Sequence, residues 1–175
     1  SIQDIVKIIE ENKSEFEEVK SVYEDTEKAI KQCLNHYESL YNFKMEYMEA
    51  INFIRYGKDQ HFAVHTDHGF SYTCTVSSIA YFNDDYEGGE LWFPYLNIAF
   101  KPQKGDILMF PSTYIYAHAS LKVTSGTKYS AVTMFDYNDN NHKQPLGYAT
   151  DGSKVTENVG ISKGGTQPIM YAPPR

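Results

Sequence analysis

Along the first forty residues, apolar side chains return every three or four positions. Val19, Val22, Thr26, Ala29, Ile30, Cys33, Leu34, Tyr37 and Leu40 fall on one stripe of a helix. Ser14 with Glu17 three residues later predicts a capping box that opens it. Ile2, Ile5, Val6 and Ile9 predict a shorter helix before it, and the acidic residues of both segments take the opposite, solvated faces. From Met45 the pattern changes to short runs rich in β-branched and aromatic residues, separated by Gly, Pro, Asn and Asp. Strands are predicted near 45–56, 61–66, 72–82, 89–93, 98–101, 106–110, 114–118 and 128–136. The turns fall at Tyr56-Gly57-Lys58-Asp59, Asn83-Asp84-Asp85, Gly88-Gly89, Pro102-Gln103-Lys104-Gly105 and Ser125-Gly126.

Helices followed by about eight short strands predict an α+β domain, with the helices packed on a jelly-roll-like barrel. The division expected is one domain over residues 1–140, with helices in 1–42 and a barrel in 43–137, and then an extended C-terminal tail over 138–175. From Tyr137 to Arg175 the chain holds five Gly and four Pro and has little periodicity. The Gly88-Gly89 pair reads as a tight turn rather than a phosphate cradle, because no helix start follows it.

Composition narrows the function. The 175 residues are 41% hydrophobic and 22% charged, which indicates neither disorder nor a membrane span. A net charge of −7 argues against a general nucleic-acid or anionic-membrane surface. The acidity is uneven, with 12 acidic and 6 basic side chains in residues 1–50 against 11 and 10 in the remainder. Two cysteines, Cys33 and Cys74, are too few for a disulfide framework and lack the Cys-x-x-Cys spacing of a zinc or redox site, so they read as thiols of a reducing compartment. Ser1–Lys20 lacks the basic start and apolar core of a signal peptide, and the missing initial Met points to a processed or excised end. A cytoplasmic location is expected. The 15 Tyr and 10 Phe suit a β-rich body with polar-tipped pockets.

Three features carry candidate chemistry. In His65-Thr66-Asp67, residues two apart on a strand share a face, so an imidazole and a carboxylate can meet one metal ion; the other reading is a surface histidine near an aspartate. His118, on a later predicted strand, would complete two imidazoles and one carboxylate, a set that leaves one side of an octahedral Fe(II) open; the other reading is a core histidine. Lys128 shares a strand face with Ser130, Val132 and Met134. Pointing inward, it would need an anion; on an edge strand, it would merely blunt aggregation.

The ordered set resembles the iron(II)- and 2-oxoglutarate-dependent dioxygenases, in their prolyl 4-hydroxylase-like branch. The resemblance runs from about Ile51 to Tyr137, half of the chain. It is carried by Phe53-Ile54-Arg55-Tyr56-Gly57, His65-Thr66-Asp67, the run Ala80–Leu91 with Tyr81 and Gly88-Gly89, the run Lys104–Pro111, and His118 through Gly126-Thr127-Lys128-Tyr129. It implies a double-stranded β-helix with the helices packed on its major sheet. It further implies iron held by His65, Asp67 and His118, with Lys128 paired to the distal carboxylate of the cosubstrate 2-oxoglutarate. Tyr81 would hydrogen-bond that carboxylate, and Tyr56 would line the same pocket. The cofactors implied are Fe(II), 2-oxoglutarate and dioxygen, with ascorbate as a reductant.

The activity implied is hydroxylation of proline in a protein or peptide, coupled to decarboxylation of 2-oxoglutarate to succinate. Asp67 favours hydroxylation, because related halogenases lack the carboxylate ligand. Two departures bear on substrate: residues 56–60 lack the Pro-Gly common before the first ligand, and Met134 stands where many prolyl hydroxylases place a Trp. Free proline or another amino acid is therefore an alternative substrate. The alternatives of another class are a non-catalytic barrel that serves as a binding or structural module, and a zinc hydrolase with Glu87 or Glu90 as base. Neither a nucleic-acid nor a membrane partner is expected. The compact size, short helices and thiols resemble the bacterial, viral or phage-like members more than secreted collagen-modifying ones, and for a viral member the cytoplasm expected is the host's. The sequence leaves the oligomeric state open.

Overall fold

Helix α1 runs from Lys13 to Tyr41 in the computed structural model, which describes residues 12–69, 73–140 and 142 of the chain. Asn12 occupies the N-cap, so Ser14 lies inside the first turn and the expected capping box does not open the helix. The expected stripe is buried only over the middle of the helix. Thr26, Ile30 and Leu34 are buried, whereas Val19 is 68% exposed, and Val22 and Leu40 are exposed as well. Among the described residues, Ile30 and Leu34 reach the core of the major sheet, with Tyr23 and Tyr37 packed beside them. The helix ends at Asn42, which takes the left-handed conformation that a short polar side chain tolerates. The Glu38 carboxylate then receives the Lys44 ammonium at 2.6 Å and the Met45 N–H at 2.7 Å, which turns the chain from the helix into the first strand. The shorter helix expected on Ile2–Ile9 and most of the expected tail lie outside the described residues.

Eleven strands follow in the described residues: β1 (Tyr47–Met48), β2 (Asn52–Tyr56), β3 (Phe62–His65), β4 (Val76–Tyr81), β5 (Glu87–Gly88), β6 (Leu91–Phe93), β7 (Ile98–Phe100), β8 (Ile107–Pro111), β9 (His118–Ser120), β10 (Val123–Ser125) and β11 (Lys128–Asp136). The major sheet has the order β1-β11-β4-β8, with β2 also paired to β11. The minor sheet has the order β3-β9-β6-β7, and β10 pairs with β5 in a small ribbon. All the strand pairs are antiparallel.

Strands β4 and β11 are covered on both faces. Val76, Ala80, Ala131 and Phe135 pack with Ile30 and Leu34 of α1. On the other face Ile79 and Tyr81 of β4 meet Leu91 and Phe93 of β6 and Phe110 of β8, forming the layer between the sheets. The α+β organisation expected from the sequence is therefore the one observed, with the helix on the outer face of the major sheet.

Three local expectations are corrected. The strand expected over 45–56 is two pieces on β11, interrupted where the Glu49 N–H donates to the Met134 carbonyl and the Thr133 hydroxyl donates to the Glu49 carbonyl. The strand expected over 114–118 is a 3-10 turn at Tyr114–Tyr116, and β9 begins at His118, where that strand was expected to end. Strands β5 and β10 were not anticipated. Gly88 accounts for their close approach: its φ of 71° is left-handed, and a Cβ there would lie 2.2 Å from the Lys122 carbonyl oxygen.

Candidate active site

The sheets enclose a cavity of ≈ 300 Å³ with a metal-binding type of side-chain set on one wall and a lysine on another. Strand β3 delivers His65 at its last residue, and β9 delivers His118 at its first; the two residues are register partners. Asp67 lies in the bend just past β3, not on the strand as expected. That bend lets the carboxylate turn back between the imidazoles, with Oδ1 3.2 Å from His65 Nε2 and Oδ2 3.8 Å from His118 Nε2. One candidate ligand atom from each residue lies within 4.8 Å of the others, and no other such group of three occurs among the described residues.

The backbone fixes both rings. His65 Nδ1 lies 2.9 Å from the Ala63 carbonyl and His118 Nδ1 lies 3.0 Å from the Tyr116 carbonyl. A carbonyl only accepts, so Nδ1 carries the proton and each neutral ring presents its Nε2 lone pair to the Asp67 carboxylate. Phe62 stands edge-on to His65 with centroids 4.5 Å apart, and Phe110 edge-on to His118 at 4.9 Å. With both rings neutral, three lone-pair donors converge, an arrangement that a divalent cation satisfies, or a proton held between His65 and Asp67.

The electrostatics follow from burial and from this convergence. Burial pulls the His65 imidazolium down, but the hydrogen bond and charge of Asp67 more than offset it, so its pKa is raised. Burial dominates at His118 and lowers its pKa despite the Asp67 charge. The Asp67 carboxyl is opposed by burial, yet its histidine neighbours and Ser77 hold it below the usual range. Behind the site, Cys74 is buried and its backbone carbonyl takes the His68 ring at 2.7 Å. Burial first, with the Asp67 charge adding to it, pushes the Cys74 thiol up to about 12.

The lysine wall comes from β11 and β2. Lys128, Ser130, Val132 and Met134 all line the cavity, as strand alternation predicts. Lys128 is 2% exposed and donates to the Gly89 carbonyl and to the Ser120 hydroxyl, each at 2.8 Å. Tyr56 and Tyr81 flank it, with ring centroids 5.2 and 5.3 Å from Nζ. The Tyr81 hydroxyl is buried with no hydrogen-bond partner among the described residues. An orphaned hydroxyl beside a buried ammonium fits an anionic group of a ligand, which would satisfy both.

All six residues singled out from the sequence therefore line one cavity. Glu87 and Glu90, the bases suggested for a zinc hydrolase, do not line it. Sequence reading missed Ser120 and the Gly89 carbonyl. Ser120 was findable: it stands two residues past His118, on the same face of β9, and was lost because the strand was expected to stop at His118.

Comparison with known proteins agrees with this geometry. Residues 51–136, just under half of the chain, match the model of the 2OG-Fe(II) oxygenase superfamily. Within it, the likeness falls in the prolyl 4-hydroxylase-like branch. A protein of Acanthamoeba polyphaga mimivirus, provisionally named a prolyl 4-hydroxylase, is 29% identical in an alignment that covers 54% of this chain and 48% of that one. The chain thus spans about half the length of the curated relative it matches. Among solved structures, the viral collagen prolyl hydroxylase of Paramecium bursaria Chlorella virus-1 has a TM-score of 0.56 at 24% identity, covering 66% of this chain and 72% of that one. A Trichoplax adhaerens prolyl hydroxylase, solved with a peptide fragment of hypoxia inducible factor, has a TM-score of 0.52 at 18% identity, covering 61% and 54%. These structures share the double-stranded β-helix expected from the sequence.

Proposed function

We propose that this chain is an Fe(II)- and 2-oxoglutarate-dependent hydroxylase that acts on proline in a protein or peptide. One observation carries the reading: a two-histidine, one-carboxylate set and a buried ammonium with an orphaned tyrosine hydroxyl share a single cavity. His65, Asp67 and His118 are assigned to the iron, and Lys128 and Tyr81 to the distal carboxylate of 2-oxoglutarate, with Tyr56 beside them. When bound, iron and cosubstrate supply the oxidation, in which dioxygen is consumed, 2-oxoglutarate gives succinate and carbon dioxide, and one oxygen atom enters the substrate.

The chain's own residues bind, orient and exclude water. The Ala63 and Tyr116 carbonyls hold the imidazoles in the tautomer that ligates. Lys128 supplies a point charge, and Tyr81 a directed donor, for one end of a diacid. Ile54, Ile79, Leu91 and Val132 form apolar walls between these polar ends and keep water from the reacting centre. Met134, in the place where many relatives carry a Trp, leaves that part of the wall pliable.

The prolyl specificity draws its support from the names of the similar proteins, and ascorbate as reductant belongs to the same proposal. A cytoplasmic location is likewise proposed, on the two free thiols. The test is an anaerobic titration of Fe(II) and 2-oxoglutarate into the protein. A visible charge-transfer band that vanishes in His65→Ala supports the oxygenase. Iron binding without a band, unchanged by 2-oxoglutarate, rejects it. Incubation of the active protein with proline-rich peptides and with free proline then decides substrate by which one gains an oxygen.

A further inference from the structure

Lys128 is not a free arm in the cavity. Two of its three N–H groups are taken by the Gly89 carbonyl and the Ser120 hydroxyl, which leaves one for a ligand. Its stem is confined too, because a Cβ at Gly89 would lie 3.3 Å from Lys128 Cδ. Gly89 is itself fixed, its N–H donating to the Lys122 carbonyl at 3.0 Å. Ser120, which accepts a hydrogen bond from the ammonium, keeps its own hydroxyl proton to donate. Ser120 and His118 open and close the three-residue strand β9 and share a face, roughly 6.6 Å apart at about 3.3 Å per residue.

A lysine at the end of a flexible stem would follow a carboxylate over a range of positions. With both wall bonds in place, this ammonium stands at a distance from His118 that one strand dipeptide determines. We propose that Ser120 is a positioning and specificity-determining residue: by pinning the Lys128 ammonium at that distance from the metal ligand His118, it selects a five-carbon 2-oxo diacid over its longer homologue. One additional methylene moves the distal carboxylate by more than the ~0.5 Å spread of hydrogen-bond lengths. The inference rests on the oxygenase reading above.

The test is calorimetric and needs no turnover. Protein loaded with Ni(II) is titrated with 2-oxoglutarate and with 2-oxoadipate, for the native chain, Ser120→Ala and Ser120→Thr, with thermal midpoints and Ni(II) affinity measured alongside. The native chain should prefer 2-oxoglutarate. Ser120→Ala should weaken 2-oxoglutarate by about tenfold or more, the loss of a bond that orients a charged group, and leave 2-oxoadipate nearly unchanged. Ser120→Thr, which keeps the hydroxyl, should retain the native ratio, and Ni(II) affinity should be constant throughout. An unchanged ratio in Ser120→Ala, an equal loss for both acids, or a loss that follows Ni(II) affinity each overturns the assignment. A native protein that holds Ni(II) but binds neither acid brings down the oxygenase reading itself, a different outcome from any of these.

Discussion

In the major sheet, β11 extends over nine residues and pairs without a break in register with β4 on one side and β2 on the other. In the minor sheet, the strands are three or four residues long, and β3 and β9 slip register between Phe62 and His65. The regular sheet supplies the floor of the cavity and the ammonium. The irregular one supplies His65 and His118, with Asp67 in the bend beyond it. Straight strands project side chains in parallel and cannot aim three of them at one point. A strand end, a strand start and a bend can, because each changes the direction of one side chain independently. Regularity thus serves the fold and its breaks serve the ligand set.

Substitutions can break that comparison from either side. The largest functional effect is expected from His118→Ala, which should abolish the Fe(II) and 2-oxoglutarate charge-transfer band while far-UV circular dichroism stays native. Loss of the fold with the band would show that the minor sheet depends on its ligands. On the major sheet, Phe135→Ala should cost about 3–5 kcal/mol in urea unfolding, as for a fully buried ring between sheet and helix. Metal affinity of the remaining folded protein should be unaffected.

Lys128→Ala should weaken 2-oxoglutarate binding by about 1.5–3 kcal/mol, or ~10–100-fold, and leave iron binding intact. The same group sets a pH window. Burial, with the Lys101 charge adding to it, pulls the Lys128 ammonium down to about 8 from its ordinary 10.5. Between those values the unfolded chain still holds a proton that the ligand-free folded chain has shed. Lys128 therefore makes stability rise with pH across that window and contributes no slope below it. Above pH 8 the diacid must restore the charge, so its binding should take up protons, seen as a dependence of calorimetric heat on buffer ionisation. The smallest change is Tyr81→Phe. It removes an orphaned hydroxyl, so the thermal midpoint should rise slightly, while 2-oxoglutarate affinity falls by about 1.5 kcal/mol for one bond to a charged group. A fall in both would make Tyr81 a core residue.

The same contrast explains what the sequence disclosed. The alternation of Lys128, Ser130, Val132 and Met134 placed four cavity residues correctly, because a strand inside a sheet has no freedom to do otherwise. The order His65, Asp67, His118, Lys128 was readable as a pattern. The position of Asp67 was not, since a bend leaves no periodic trace, and neither was the 3-10 turn that shifts β9 onto Ser120. The buried length of α1 also escaped, because its stripe continues on both sides of the part that is buried. The break between β1 and β2 depends on a side chain 84 residues away, the Thr133 hydroxyl on the Glu49 carbonyl, which no local window contains.

The burial of Cys74 has a practical side. With its thiol pushed up to about 12, roughly one molecule in 10⁵ carries the thiolate at neutral pH, and thiolate is the form that reacts. Cys33 lies half-buried on α1, across the major sheet from the cavity. A thiol-directed fluorophore or spin label should therefore attach there without any engineered residue, and report on the protein from the side where no ligand is expected to bind.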